Sequence, residues 1–170
     1  MTNQTVQQHR ADSPDIICCA VITVSDTRTM DTNRGGALLA SHVAEAGFRV
    51  VERQIIPDEP KPMTELVTEL AAGNGVDAIL MTGGTGISGR DQTFETISAL
   101  ISKPLPGYGE LFRYLSYKEI GAAAMLSRAI GGLIGDTVVL TMPGSTAAVE
   151  LAATKLILPE LAHLVGEAHK

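Results

Sequence analysis

MTGGTGISGRDQTFE, residues 81–95, sets the terms on which the chain can be read. An apolar run, Val76 to Met81, leads into it, and a helical pattern leaves it. Between them stand Gly83, Gly84, Gly86 and Gly89, followed at once by Arg90 and Asp91. Strand, glycine loop and helix in that order make an anion-binding turn. Glycines let backbone N–H groups approach closely, and the helix N-terminus adds its dipole. Gly84, Gly86 and Gly89 spell the dinucleotide fingerprint G-x-G-x-x-G. Gly84 and Gly89 also have P-loop spacing, but Arg90 and Asp91 occupy the Lys and Ser/Thr positions. The dinucleotide pattern fails in its own way. It closes the third strand rather than the first, and Gly89 precedes the helix instead of packing inside it. Glu110, near the distance of the ribose-binding acid, opens a helix. The loop predicts a phosphate-bearing ligand without naming it.

Working outward, the apolar run Ile16–Val24 (IICCAVITV) reads as a strand buried on both faces. A polar loop, SDTRTMDTNRGG, leads to a helix over Gly35–Ala46, with Gly47 behind it as a C-cap. Arg49–Ile56 is a second strand, Pro62–Ala72 a helix and Val76–Thr82 the third strand. Thr93–Ile101 is the helix after the glycine loop, and SKPLPGYG is a break. Glu110–Ile130 is helical, in one or two pieces about Gly121. Thr137–Met142 is the last strand, and Thr146–Val165 a long final helix. Strands alternating with helices predict a single three-layer α/β/α domain with a mostly parallel sheet. It spans residues 15–170, behind a polar, loose segment over residues 1–14.

Composition narrows the function. The 170 residues carry 45% hydrophobic residues and a net charge of −6, which suits a globular domain and not a general nucleic-acid binder. No apolar run reaches the roughly 18 residues of a membrane span. Adjacent Cys18 and Cys19 would point to opposite faces of a strand, which predicts two reduced thiols in a cytoplasmic protein. His9, His42, His163 and His169 have no zinc-site spacing, and the aromatics between Phe94 and Tyr117 read as core or interface.

Ligands of open α/β sheets bind beyond the carboxyl ends of the strands. Each strand of the first, second, third and last helical crossing ends in small, polar or acidic residues. These are Ser25-Asp26, Pro57-Asp58-Glu59, Thr82 to Gly86, and Pro143-Gly144-Ser145. Asp26, Asp58 and Asp91 then meet at one edge, beside a loop made for anions. Alone, Asp91 reads as an N-cap of the Thr93 helix and Asp58 as a cap of the Pro62 helix. Together they need a counter-charge, which Mg²⁺ held by one or two carboxylates plus substrate phosphates supplies. That pattern points to phosphoryl or nucleotidyl transfer.

The ordered set TVSD (23–26), PD (57–58), TGGTG (82–86), RDQTFE (90–95), GYGELFR (107–113), SRA (127–129) and MPGS (142–145) resembles the MoaB/MogA family of molybdenum-cofactor biosynthesis. The likeness runs from about Ile16 to Val165, and the GYGELFRYLSYKEIG and MPGS stretches are more similar to the MoaB branch. The resemblance implies Mg-ATP-dependent adenylylation of molybdopterin, giving adenylylated molybdopterin and pyrophosphate. It implies Asp58 and Asp91 as the catalytic, metal-holding acids. Thr82, Gly83, Gly84, Thr85 and Gly86 would cradle phosphate, with Arg90 beside them, and Ser25 and Asp26 would lie on the nucleotide side. Ser127, Arg128, Pro143, Gly144 and Ser145 would line the pterin side, with Arg128 as a phosphate clamp. Glu110 and Arg113 match a family motif without an assigned chemistry; a buried ion pair or a subunit contact stands beside a ligand role. The family also implies a trimer or hexamer, with Leu111–Tyr117 and Gly121–Ile130 as candidate contact surfaces. The alternative is a non-catalytic protein of the same pathway that binds molybdopterin or its precursor, or acts as a scaffold.

Overall fold

A computed structural model describes Pro14 and residues 16–170. The expected loose segment, Pro14 apart, and His9 lie outside the described residues. Six strands form one sheet in the order β2-β1-β3-β6-β5-β4. They are β1 (Cys18–Val24), β2 (Arg49–Ile56), β3 (Ala78–Thr82), β4 (Lys103–Pro104), β5 (Gly131–Ile134) and β6 (Thr137–Met142). β2, β1, β3 and β6 run parallel, while β5 and β4 add an antiparallel end. The helices are α1 (Arg34–Glu45), α2 (Pro60–Ala72), α3 (Thr93–Leu100), α4 (Pro106–Ile120), α5 (Thr146–Ala152) and α6 (Leu158–Ala168). The mostly parallel three-layer fold read from the sequence is the one observed.

Alternation along β1 explains its unbroken apolar run. Cys19 and Val21 join Leu39, Val43, Phe112, Val149 and Leu161 on one face. Ala20, Ile22 and Val24 join Met63, Val67 and Ile97 on the other. Both faces are dry, so the strand is apolar throughout except for Thr23, whose buried hydroxyl has a hydrogen-bond partner. Burial pushes the Cys19 thiol up to about 12, and both cysteines are free.

Three expectations change. The helix expected over Glu110–Ile130 begins earlier, at Pro106, because proline suits the first helical turn. It ends at Gly121, whose φ of +64° stops the helix, and a 3-10 turn (Gly121–Leu126) follows. The SKPLPGYG break holds the two-residue β4, and β5 occupies GGLI immediately after the expected helix end. A strand with two glycines escapes any propensity rule. Their reason is contact: a methyl on Gly131 would come 2.5 Å from Leu140, and one on Gly132 2.6 Å from the Lys103 carbonyl. The final helix is also interrupted. A π turn over Ala153–Ile157 joins α5 to α6 just ahead of Pro159. Proline lacks an N–H and crowds the carbonyl one turn back, and a wider turn there relieves both.

The β1–α1 loop is locked from inside. Asn33, 1% exposed, donates to Thr23 Oγ1 at 2.8 Å and accepts from Gly36 N at 3.0 Å. Asn33→Ala removes both bonds and is expected to cost about 2 kcal/mol. A thermal melt should fall by about 4–8 °C; an unchanged melt would show that the loop is held elsewhere.

Candidate functional site

The carboxyl ends of β2, β1, β3 and β6 lie side by side, so the four polar loops meet at one edge. Gly83 decides how closely. Its φ is +102°, its N–H donates to Met142 O at 3.0 Å, and a methyl on it would stand 2.2 Å from Val24 O. Only glycine fits between these neighbouring strand ends. Gly84 follows at φ +62°, and a side chain there would meet Thr93 Oγ1 at 2.2 Å and Asp58 Oδ2 at 2.6 Å. At Gly86 a methyl would come 2.7 Å from Asp91 Oδ2. The glycine loop thus carries both acids against its backbone.

Neither acid is a cap of the helix expected for it. Asp91 turns back on Ser88, accepting from its N–H at 2.9 Å and its hydroxyl at 2.6 Å. Asp58, 6% exposed, reaches across from the β2–α2 loop and accepts from Gln92 N at 2.9 Å. That caps the first turn of α3 from another loop, while α2 starts after Glu59 with no side-chain cap. Sequence spacing cannot show a cap supplied 34 residues away.

Behind the acids lies a brace. Arg90 grips Asp26 with two donors, Nε to Oδ2 at 2.6 Å and Nη2 to Oδ1 at 2.8 Å, and reaches Glu59 at 3.4 Å. Asp26 Oδ1 also accepts from Asp58 N at 3.0 Å. The Arg90 guanidinium, aided by that N–H, holds the Asp26 carboxyl down to about 2. On the other side, Arg128 donates to Thr85 O at 3.3 Å and Asp91 O at 3.4 Å, pairs with Glu95, and lies over the Phe94 ring at 5.1 Å. Its contacts tie the two ends of the glycine loop to the segment after the 3-10 turn. Thr82 is fully buried and donates to Pro143 O at 3.2 Å; Ser25 accepts from Thr27 N and Arg28 N.

In front of the loop is a cleft of about 410 Å³. Gly83, Gly84, Thr85, Gly86, Asp91, Ser127, Pro143, Gly144 and Ser145 line it. The expected residues therefore divide between the cleft and its supports, Ser25, Asp26, Asp58, Thr82, Arg90 and Arg128. The buried Ser127 hydroxyl has no hydrogen-bond partner among the described residues. Sequence reasoning missed the apolar wall, where Phe112, Ser116 and Ile120 repeat at every fourth position of α4. That helical stripe was available in the sequence as a period. Glu110 and Arg113 form no ion pair with each other among the described residues; Arg113 donates to Ala129 O at 3.1 Å. They line a separate cavity of about 350 Å³.

Residues 20–163 match the family model described as a probable molybdopterin binding domain, and the chain belongs to that family of molybdenum-cofactor biosynthesis proteins. It is 50% identical over 167 residues to molybdenum cofactor biosynthesis protein B of Bacillus subtilis, covering 98% of each chain. A crystal structure of a molybdenum cofactor biosynthesis protein B superposes with a TM-score of 0.89 at 49% identity, over 92% of this chain and 98% of that one. The tungsten cofactor synthesizing protein MoaB of Pyrococcus furiosus gives 0.83 at 34% identity, over 93% and 100%. The MoaB-like family read from the motifs is the family found.

Burial first, then the charges of Asp91 and Asp26, hold the Asp58 carboxyl above its ordinary value, against the Gln92 N–H and Arg90. A folded pKa above the unfolded one means that ionised Asp58 costs stability, and that stability returns as pH falls through the raised pKa. Asp58→Asn keeps an acceptor for Gln92 and removes the charge. In EDTA it should melt above wild type at about pH 8, with the margin closing toward about pH 4. Equal melts across that range would mean that the carboxylate is not strained.

Proposed function

We propose that the chain is a molybdopterin adenylyltransferase that uses Mg-ATP. The observation that carries this reading is the convergence of Asp58 and Asp91, from two different loops, on one glycine loop at the carboxyl edge of the sheet. An oxygen of the molybdopterin terminal phosphate attacks the α-phosphorus of ATP. The bond from that phosphorus to the α,β-bridging oxygen breaks, and its electron pair leaves on pyrophosphate.

The donor set fits Mg²⁺. Asp58 and Asp91 offer hard oxygens, one oxygen of each is anchored by an N–H, and the charge of Asp91 is felt at Asp58. The described residues contain no group of three or more His, Cys, Asp or Glu poised to hold a metal. Two carboxylates with the remaining places left to water and phosphate suit Mg²⁺ and not zinc. When bound, the ion would neutralise phosphate charge. The protein's own part is to orient: Gly84, Thr85 and Gly86 present backbone N–H groups, and Ser145, whose hydroxyl caps α5 at Ala148 N, closes the opposite wall. The ring system of the pterin would rest on the apolar wall of α4.

Copies of the chain would assemble as a trimer or hexamer. The support is an exposed apolar face on α4 and the 3-10 turn, formed by Leu111, Tyr114, Tyr117, Ile120, Met125 and Leu126. Among the described residues no helix is long and apolar enough to cross a membrane, and the free thiols favour the cytoplasm. A second reading, a carrier that holds molybdopterin without transfer, draws on the same cleft, because both nearby arginines, Arg90 and Arg128, are already committed to carboxylates.

One assay separates them. Purified protein with molybdopterin, ATP and Mg²⁺ should form adenylylated molybdopterin. Asp58→Ala and Asp91→Asn should each lower the rate by about a hundredfold or more, and EDTA should stop it. Tight molybdopterin binding without product in wild type would replace the enzyme with the carrier.

A further inference from the structure

A second cleft adjoins the first. It measures about 540 Å³ and is lined by Arg28, Asp31, Thr32, Arg34, Gly35, Gly144, Ser145 and Thr146. Gly144 and Ser145 line both clefts, one from each side. The β1–α1 loop and the β6–α5 loop close on each other here: a methyl on Gly35 would come 3.1 Å from Gly144 O.

The two clefts differ in chemistry. The glycine cleft has an apolar wall of Phe112, Ile120, Ala123 and Leu126, on which a ring can rest. The second has no aromatic or aliphatic wall; it carries two guanidinium groups, three hydroxyls and one carboxylate. Its cations are also in a different condition. Arg90 and Arg128 are neutralised by Asp26 and Glu95. Among the described residues, the Arg28 side chain donates to a carbonyl, Thr32 O at 3.0 Å, and the exposed Arg34 side chain has neither a hydrogen bond nor an ion pair. In a chain of net charge −6, two arginines without a salt-bridge partner among the described residues, against one carboxylate, Asp31, in the same cleft, are a selective feature.

They are also held in place. Ser25 Oγ accepts from Arg28 N at 3.2 Å, Thr29 and Thr32 close a turn between the two arginines, and buried Asn33, the residue before Arg34, is pinned to Thr23 Oγ1. Binding an anion there costs little ordering of the backbone.

We propose that Arg28 and Arg34 form a subsite for a polyphosphate group: the β,γ-phosphates of the nucleotide before transfer and the pyrophosphate released after it. This rests on the adenylyl-transfer reading for its role, though not for its chemistry. The α-phosphate lies at the shared Gly144–Ser145 border, the two acids and the glycine loop face it from one side, and the arginines take the leaving group on the other. Guanidinium groups suit a multiply charged tail because each can donate two hydrogen bonds to phosphate oxygens.

The test is calorimetric binding of inorganic pyrophosphate, a non-hydrolysable ATP analogue and AMP to the full chain. Wild type should bind pyrophosphate and the ATP analogue, the latter more tightly than AMP. The double variant Arg28→Gln/Arg34→Gln should weaken both by about ten- to hundredfold and leave AMP within about twofold. Lys155→Gln, on the π turn, controls for net charge, and a thermal melt confirms that each variant is folded. Unchanged affinity for pyrophosphate in the double variant overturns the subsite. So does an equal loss for AMP and the ATP analogue, or a wild type that binds neither polyphosphate. Arginine-dependent pyrophosphate binding in a protein that makes no adenylylated product would leave the subsite standing and refute the transfer reading alone.

Discussion

The whole edge depends on how close the β3–α3 loop can pass to the end of β1. Gly83 leaves its strand at φ +102° with Val24 O where a side chain would otherwise be. That passage lets Gly84 settle against Asp58 and Thr93. The hydrogen bonds Thr93 N to Gly84 O and Thr93 Oγ1 to Gly83 O then fix α3 to the loop, both at 3.0 Å. The position of Asp91, the cap that Asp58 lends to α3 and the grip of Arg128 on Thr85 O all follow from it. A larger residue at Gly83 would push the loop away from β1, and each of these contacts is measured from that point.

The site binds anions while being built from acids, and the brace explains how both hold. Asp26, Glu59, Asp58 and Asp91 crowd one corner, where mutual repulsion would spread the loops apart. Arg90 stands among three of the four and Arg128 holds the backbone of the last. Each arginine offsets acidic charge and keeps loops at fixed separation. That arrangement keeps the carboxylates near the glycine loop without leaving either arginine free. Positive charge for a ligand must then come from backbone dipoles, a bound cation or the arginines of the neighbouring loop.

Most of the fold was legible because its signals are local. Unbroken apolar runs marked β1, β3 and β6, and the glycine loop between β3 and α3 needs no knowledge of distant residues. Where the reading failed, the cause lay across the chain. Gly131 and Gly132 form a strand because Tyr108, Leu140 and Lys103 leave no space for side chains. Pro159 stays in the last helix because the turn before it widens. The acids were visible as residues that end strands, and the ordered motifs named their family. Their partners were not: Glu59 for Arg90, Glu95 for Arg128 and Gln92 for Asp58 become neighbours only when three loops fold onto one edge.

The ends of the sheet carry a consequence for association. β4 closes one end with two residues, one of them Pro104, which has no N–H to offer a further strand. β2 closes the other end, where a register irregularity between Cys19 and Ala20 bends the pairing and charged Arg49, Glu52 and Arg53 interrupt the strand. Both margins are blunted against pairing with a further strand. The trimer or hexamer proposed above would then rest on side-chain packing between helical faces. Such contacts are set by shape, have a definite stoichiometry, and stop growing once the matching faces are covered.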